Sequence, residues 1–271
     1  MARQRLGQHF LADLDWQEQI SRAIRVSRHA TAPFTGKDHC WIEIGAGHGE
    51  MTEHLAASGV PVYAIEIDPH LGDHLRHLSK QFRNLTVIQS DVLEVDIPSI
   101  GAGRRIRVYG NLPYYITSPI LHRLFSFADC IDEIHVVIQT EVALRLAAEP
   151  GTKAYGYLSV VTQLYSRPEF VFEIPRSAFS PPPEVTSALV TLRLPGERAA
   201  LALPHIESFL DFVKNCFAQK RKNLVNNLRS VAEPQMVRKT LESLDLRPDA
   251  RAEQLSVAQL ADFFRSFTPQ S

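Results

Sequence analysis

The chain has 271 residues, 45% hydrophobic and 22% charged, with 29 basic and 30 acidic side chains giving a formal net charge of −1. That composition excludes a largely disordered chain, and no apolar run approaches the roughly 20 residues needed to cross a bilayer. Near-neutral charge also excludes a protein that coats polyanions by bulk electrostatics, so any polyanion must meet a localised surface.

The length predicts one large domain carrying a smaller one. The first residues, Met1-Ala2-Arg3-Gln4-Arg5, have no apolar stretch of the secretory type, and the expectation is a cytoplasmic protein without membrane association. Cys40, Cys130 and Cys216 are widely spaced and form neither a CxxC pair nor a disulfide framework, which reads as buried thiols and no metal site.

From about residue 39 to 139, short apolar runs alternate with segments of helical period, the pattern of βα units around a parallel sheet. The expected strands are Cys40–Ile44, Val62–Ile67, Leu85–Ile88, Ile106–Tyr109 and Ile134–Ile138. Met51–Ala57 and Leu71–Leu78 suit helices, and Ser118-Pro119 predicts a helix start with Ser118 as N-cap.

Ile42-Glu43-Ile44-Gly45-Ala46-Gly47-His48-Gly49-Glu50 follows the first of these strands and opens the first helix. Glycines there let a ligand approach backbone amides with no Cβ in the way. Glu66, at the end of the second strand, offers a carboxylate that can accept both hydroxyl hydrogens of a ribose. At the end of the third strand, Ser90-Asp91-Val92 offers Asp91 to an adenine amine. This combination resembles the class I S-adenosylmethionine methyltransferases. The resemblance implies Gly45, Gly47 and Gly49 beside the methionine part of the donor, with Glu43 in the same motif, Glu66 and Ile67 on the ribose side, and Asp91 and Val92 at the adenine.

Gly110-Asn111-Leu112-Pro113-Tyr114-Tyr115-Ile116 follows the fourth strand, at the carboxyl edge where the transferred methyl should point. An amine conjugated to a planar ring is a poor nucleophile, because its lone pair is delocalised. Acceptors on its N–H groups draw it toward a tetrahedral geometry. Asn111 supplies a side-chain carbonyl oxygen, Leu112 a backbone carbonyl stiffened by Pro113, and Tyr114 a ring face on which the base stacks, worth ~1–3 kcal/mol.

Further along, Tyr155–Tyr165 reads as a helix, and Phe170–Ile174 and Ala188–Leu194 as strands pairing in a terminal hairpin on the sheet. Proline-rich Ser180–Pro183 between them is a loop. A turn-rich polar linker at 195–204 predicts the domain boundary, dividing the chain into 1–198 and 199–271. Beyond it the pattern is helical: Ile206, Phe209, Leu210, Val213 and Phe217 share one face, as do Leu224, Val225, Leu228 and Val231. Between Phe212 and Ala232 stand Lys214, Lys220, Arg221, Lys222 and Arg229 with no acidic residue. On a helix these would present a basic surface, with Asn223, Asn226 and Asn227 adding donors near phosphates.

Taken together, the sequence resembles the ribosomal RNA adenine dimethyltransferases, in particular those of the small subunit, almost end to end. The resemblance is carried by Leu6-Gly7-Gln8-His9-Phe10-Leu11, the glycine motif, Asn111–Ile116, Lys153-Ala154-Tyr155-Gly156, Ala178-Phe179-Ser180-Pro181-Pro182-Pro183 and Phe217–Leu228. It implies an α/β fold, a Rossmann-like class I methyltransferase sheet with a small C-terminal all-helical domain. S-adenosylmethionine is the implied donor, without a metal. Asn111, Leu112, Tyr114 and Phe179 are the implied base-handling residues, Phe179 closing the base against Tyr114 from an exposed position beside the proline loop. Gln8, His9, Leu11 and Asn111 are the implied further donor contacts. Lys220, Arg221 and Lys222 are the implied rRNA contacts, although the family commonly has Arg where Lys220 stands, and lysine lacks the bidentate fork. The implied reaction is N6,N6-dimethylation of two adjacent adenosines near the 3′ end of 16S rRNA in an assembling 30S particle, by a monomer.

Two other readings share parts of this pattern. A resistance methyltransferase acting on large-subunit rRNA has a similar donor site and Asn-x-Pro-Tyr motif, but Phe179–Pro183 and Lys153–Gly156 favour the small subunit. An assembly factor that kept the fold and lost the chemistry is disfavoured by intact Glu66, Asp91, Asn111, Tyr114 and Phe179.

Overall fold

The computed structural model describes residues 9–26, 38–201, 203 and 205–267. Gln8, Arg3 and Arg5 lie outside the described residues. Contacts divide the chain into two compact units.

The first unit comprises the described residues up to 143 together with 169–194. In chain order it holds β1 (Phe10–Leu11), α1 (Leu14–Ala23), β2 (His39–Ile44), α2 (Glu50–Ala57), β3 (Val62–Glu66), α3 (Pro69–Leu78), β4 (Leu85–Gln89) and α4 (Ile97–Gly101). These are followed by β5 (Arg105–Asn111), α5 (Thr117–Phe125), β6 (Ile131–Gln139), β7 (Arg167–Ile174), β8 (Phe179–Ser180) and β9 (Ser187–Arg193). Among the described residues, seven strands form one sheet in the order β4-β3-β2-β5-β6-β9-β7. Strands β2 to β6 run parallel to their neighbours, whereas β9 runs antiparallel to β6.

This is the expected Rossmann-like sheet with its terminal hairpin. The chain winds outward from β2 to β4 and returns to lay β5 beside β2. That reversal opens a crevice at the carboxyl ends of β2 and β5, the usual ligand position in such sheets. One face of the sheet presents Trp41, Tyr109, Val137 and Leu189 to a core shared with Ile20, Ile24, Met51 and Leu55. On the opposite parity Ile42, Val108, Ile134 and Val136 are fully buried, which explains the near-continuous apolar runs of these strands.

Two expectations change. β6 begins at Ile131 rather than Ile134, taking in Asp132 and Glu133. Glu133 is tolerated because Arg107 donates to it from β5 and Arg25 adds two bonds of 2.8 and 2.9 Å. Burial raises the Glu133 carboxyl, but the hydrogen bond from His135 and the charge of Arg107 outweigh burial and hold it well below its usual range. In turn α5 starts at Thr117 with Ile116 as N-cap, so Ser118 is not the cap. The Ile116 N–H and the Thr117 hydroxyl both donate to the Pro113 carbonyl, at 3.2 and 3.1 Å, which winds the helix two residues further back.

The second unit comprises the described residues of 144–168 and 195–267. It holds the end of α6 (Thr140–Leu146), then α7 (Tyr157–Tyr165), α8 (Arg198–Leu201), α9 (Ile206–Cys216), α10 (Leu224–Asn227), α11 (Pro234–Ser243) and α12 (Val257–Arg265). The single cut into 1–198 and 199–271 does not describe this division, because 144–168 joins the later helices. The reason is packing: Tyr155, Val160 and Leu164 are buried in one core with Phe209, Val237, Leu260 and Phe263. The buried Tyr155 hydroxyl donates to the Leu255 carbonyl at 3.0 Å. Val231, expected on an apolar face, is 54% exposed.

Candidate active site

Within the first unit, the carboxyl ends of β2, β3, β4 and β5 surround a cavity of about 210 Å³. Gly45, Gly47, Glu66, Ile67, Asp91 and Val92 line one part of it, and His9, Asn111, Leu112 and Tyr114 another.

Glu66 is 2% exposed, and its two carboxyl oxygens accept from Gly47 N–H and Asp68 N–H, each at 2.9 Å. Two backbone donors fix the plane of the group, and each oxygen keeps lone-pair capacity for a ligand hydroxyl. Gly47 has φ +61°. A Cβ there would stand 3.1 Å from the Phe10 ring, so both the left-handed turn and the close approach require glycine. Asp91 accepts from the Leu93 N–H at 2.9 Å through one oxygen, which orients its carboxyl at the cavity. These groups fit a nucleoside with two ribose hydroxyls and an exocyclic amine.

On the other side, the Asn111 side-chain NH₂ donates to the His9 carbonyl at 2.8 Å. A carbonyl can only accept, so this bond settles which end of the amide faces His9 and turns the Asn111 oxygen the other way. The Leu112 N–H is taken by the Val137 carbonyl at 3.0 Å, anchoring the peptide that carries the second acceptor. The Tyr114 hydroxyl is 3.0 Å from the Ser187 hydroxyl on β9. The His9 ring stacks near Tyr114, centroids 5.9 Å apart and 28° from coplanar, and its Nδ1–H donates to the Pro181 carbonyl at 2.8 Å. The short ladder of β1 and β8 holds this strap, pairing Phe10 with Ser180 and Leu11 with Phe179.

Four expected site residues do not line the cavity; Gly49 instead caps α2, where a Cβ would stand 3.0 Å from Leu78. Leu11 is 3% exposed and belongs to the core, whereas its neighbour Phe10 lines the cavity and lies 4.5 Å from the His48 ring between centroids. Strand alternation sends adjacent side chains to opposite faces, so the register of β1 is the signal that would have found Phe10. Phe179, expected to be exposed, is 4% exposed and packed in the same core as Ala178 and Ile174. The proline loop does not lift the ring out, because Phe179 is held in the β8 ladder opposite Leu11. Glu43 is 2% exposed and accepts from the Thr52 hydroxyl at 2.5 Å; burial pushes its carboxyl up to about 8. It lies two residues before the glycine turn, and burial favours its protonated form.

In the second unit Lys220, Arg221 and Lys222 are exposed, but they lie on the turn between α9 and α10, not on a helix. The Lys220 ammonium donates to the Lys153 carbonyl. Asn223 and Asn227, expected to face phosphates, build the turn. Asn223 caps α10 through the Asn226 N–H at 3.0 Å, and the Asn227 side-chain NH₂ donates to the Cys216 carbonyl at 2.6 Å.

The family model for ribosomal RNA adenine dimethylase matches residues 1–268 of the chain. A ribosomal RNA small subunit methyltransferase A from Xanthomonas campestris is 40% identical over 97% of this chain and 94% of its own length. A relative of the same name from Koribacter versatilis is 36% identical over 96% of this chain and 92% of its own. Among solved structures, a dimethyladenosine transferase from Plasmodium falciparum is similar in fold, with a TM-score of 0.78 and 23% identity over 96% of this chain and 97% of that one. The 23S rRNA methyltransferase ErmE gives a TM-score of 0.70 and 26% identity, over 95% and 99%.

Proposed function

Because the chain belongs to the ribosomal RNA adenine dimethylase family, we propose that it transfers methyl groups from S-adenosylmethionine to the N6 amines of two adjacent adenosines near the 3′ end of 16S rRNA. It acts as a cytoplasmic monomer on the assembling 30S particle. The observation that carries the chemistry is the Asn111 amide, whose NH₂ is committed to the His9 carbonyl so that its oxygen is free to accept.

Glu66 receives the donor's ribose hydroxyls, and the uncommitted Asp91 oxygen receives its adenine amine. Gly45 and Gly47 let the methionine end lie against the backbone, with His9 and Phe10 closing over it. Bound there, the donor supplies a methyl on a sulfonium, an electrophile that needs no activation by the protein. The protein's part is therefore to position the amine and redistribute its electrons. Asn111 Oδ1 and the Leu112 carbonyl accept the two N6 hydrogens and draw the lone pair out of the ring. Tyr114, tethered to Ser187, stacks on the extruded base. As the N–CH₃ bond forms, the donor's S–CH₃ bond breaks, the sulfur keeps the electron pair and leaves as the thioether S-adenosylhomocysteine, and a proton leaves the amine to water. After the first transfer one N–H remains, enough for a single acceptor to hold the amine for the second.

The two 36–40% identical relatives carry small-subunit names over nearly their whole length, which supports the small-subunit target over the large-subunit one. Incubation of immature small and large subunits with labelled donor tests this. Label is expected in the small subunit alone, lost in Asn111→Ala. Label confined to the large subunit would refute the proposed target.

A further inference from the structure

Two of the large apolar side chains that the described residues leave exposed lie on the rim of the cavity, Ile67 at 49% and Tyr115 at 61%. Ile67 follows Glu66 and belongs to the donor side. Tyr115 has no part in the mechanism above. Its backbone lies within a closed turn, since the Ile116 N–H and the Thr117 hydroxyl both donate to the Pro113 carbonyl. One stiff turn thus presents two consecutive tyrosines differently. The Tyr114 ring is tied to Ser187, and among the described residues no hydrogen bond or ring contact holds the Tyr115 side chain.

We infer that Tyr115 is a stacking platform for the nucleotide next to the target adenosine, and so a positioning contact for the RNA strand beyond the extruded base. The inference rests on the reading that the cavity takes an extruded adenosine. Extruding a base strips its neighbour of one stacking partner, and an exposed aromatic beside the slot, uncommitted to any other contact, replaces the lost face. Tyr115 supplies a π surface without reading hydrogen-bond edges, which suits a purine neighbour. Where two adjacent adenosines are both substrates, each in turn is the neighbour of the other, so the platform serves both transfers.

The test uses the full chain and small subunits reconstituted with one target adenosine, its neighbour either intact or abasic. With the intact neighbour, Tyr115→Ala is expected to lower kcat/KM about tenfold, within the range for loss of one base–aromatic stack, and Tyr115→Phe to keep wild-type activity. With the abasic neighbour, the wild type should fall by a similar factor and Tyr115→Ala should lose little more. Equal losses for wild type and Tyr115→Ala on removing the neighbouring base would overturn the inference. So would an unaltered kcat/KM for Tyr115→Ala. Absence of transfer by the wild-type chain to intact subunits is a separate outcome; it would overturn the reading of the cavity and this inference with it.

Discussion

Glu43 and Glu66 stand at or near the ends of neighbouring strands and are equally buried, yet their surroundings differ in kind. Glu66 accepts two backbone N–H groups, whereas Glu43 has the Thr52 hydroxyl and is pushed up to about 8. A carboxyl raised from 4.5 to about 8 binds more proton in the folded chain than in the unfolded one across that window. Its contribution to stability is therefore present at low pH and lost as pH rises toward 8. Glu43→Gln, isosteric with the protonated acid, should melt increasingly above the wild type between pH 5 and pH 8; parallel melting curves would contradict this. Glu66→Gln sets an amide NH₂ against one of two backbone donors. Donor binding should weaken by about 1.5–3 kcal/mol, the worth of a charge-assisted hydrogen bond, as read by calorimetry, and an unchanged Kd would place the ribose elsewhere. The positions of Glu66, Asp91 and Asn111 were legible because each follows a strand end in turn. The raised Glu43 carboxyl was not, since it depends on how deeply the packed chain buries that group. Phe10 was missed because a two-residue strand shows no alternation on its own.

At the scale of elements, the turn between α9 and α10 shows how a side chain can replace a turn signal. Residues 217–223 contain neither glycine nor proline, so nothing in the sequence interrupts the helical pattern that resumes at Leu224. Asn227 makes the turn: its NH₂ reaches the carbonyls of Cys216 and Gln219, and its oxygen accepts from the Gln219 N–H. Asn227→Ala leaves those groups unpaired and should destabilise the helical unit by about 1–3 kcal/mol, measured as a shift of its chemical denaturation; a shift near zero would show that water replaces the side chain. The same turn carries the cations. Lys220 is committed to Lys153, which leaves Arg221 and Lys222 without a carboxylate partner among the described residues. Replacing both with alanine should reduce the salt dependence of subunit binding, log K against log salt, by roughly 1.5. An unaltered slope would remove the turn from the RNA interface. Helices of clear period, such as α9 and α12, were readable from their apolar faces. The membership of α7 in the helical core was not, because a long-range partner, not the adjacent linker, determines where its face is buried.

For the whole molecule, a net charge of −1 leaves electrostatic attraction to a few local groups, and under the proposed function recognition draws on shape and on RNA already folded by its subunit proteins. Affinity for protein-free rRNA should accordingly be weaker than for the assembling small subunit, and equal affinities in a filter-binding comparison would contradict that. The α/β architecture was legible from five apolar runs separated by helical periods and the terminal hairpin from two later ones, while the return of β5 beside β2 is set by packing across the sheet. Under the proposed function this crevice dimethylates adenine N6 in small-subunit rRNA. Mass spectrometry of rRNA fragments, after incubating immature small subunits with the full chain and S-adenosylmethionine, tests it most directly. Two adjacent adenosines near the 3′ end of the small-subunit rRNA should each gain two methyl groups. Unmodified adenosines there, or methyl groups on another base, would contradict it.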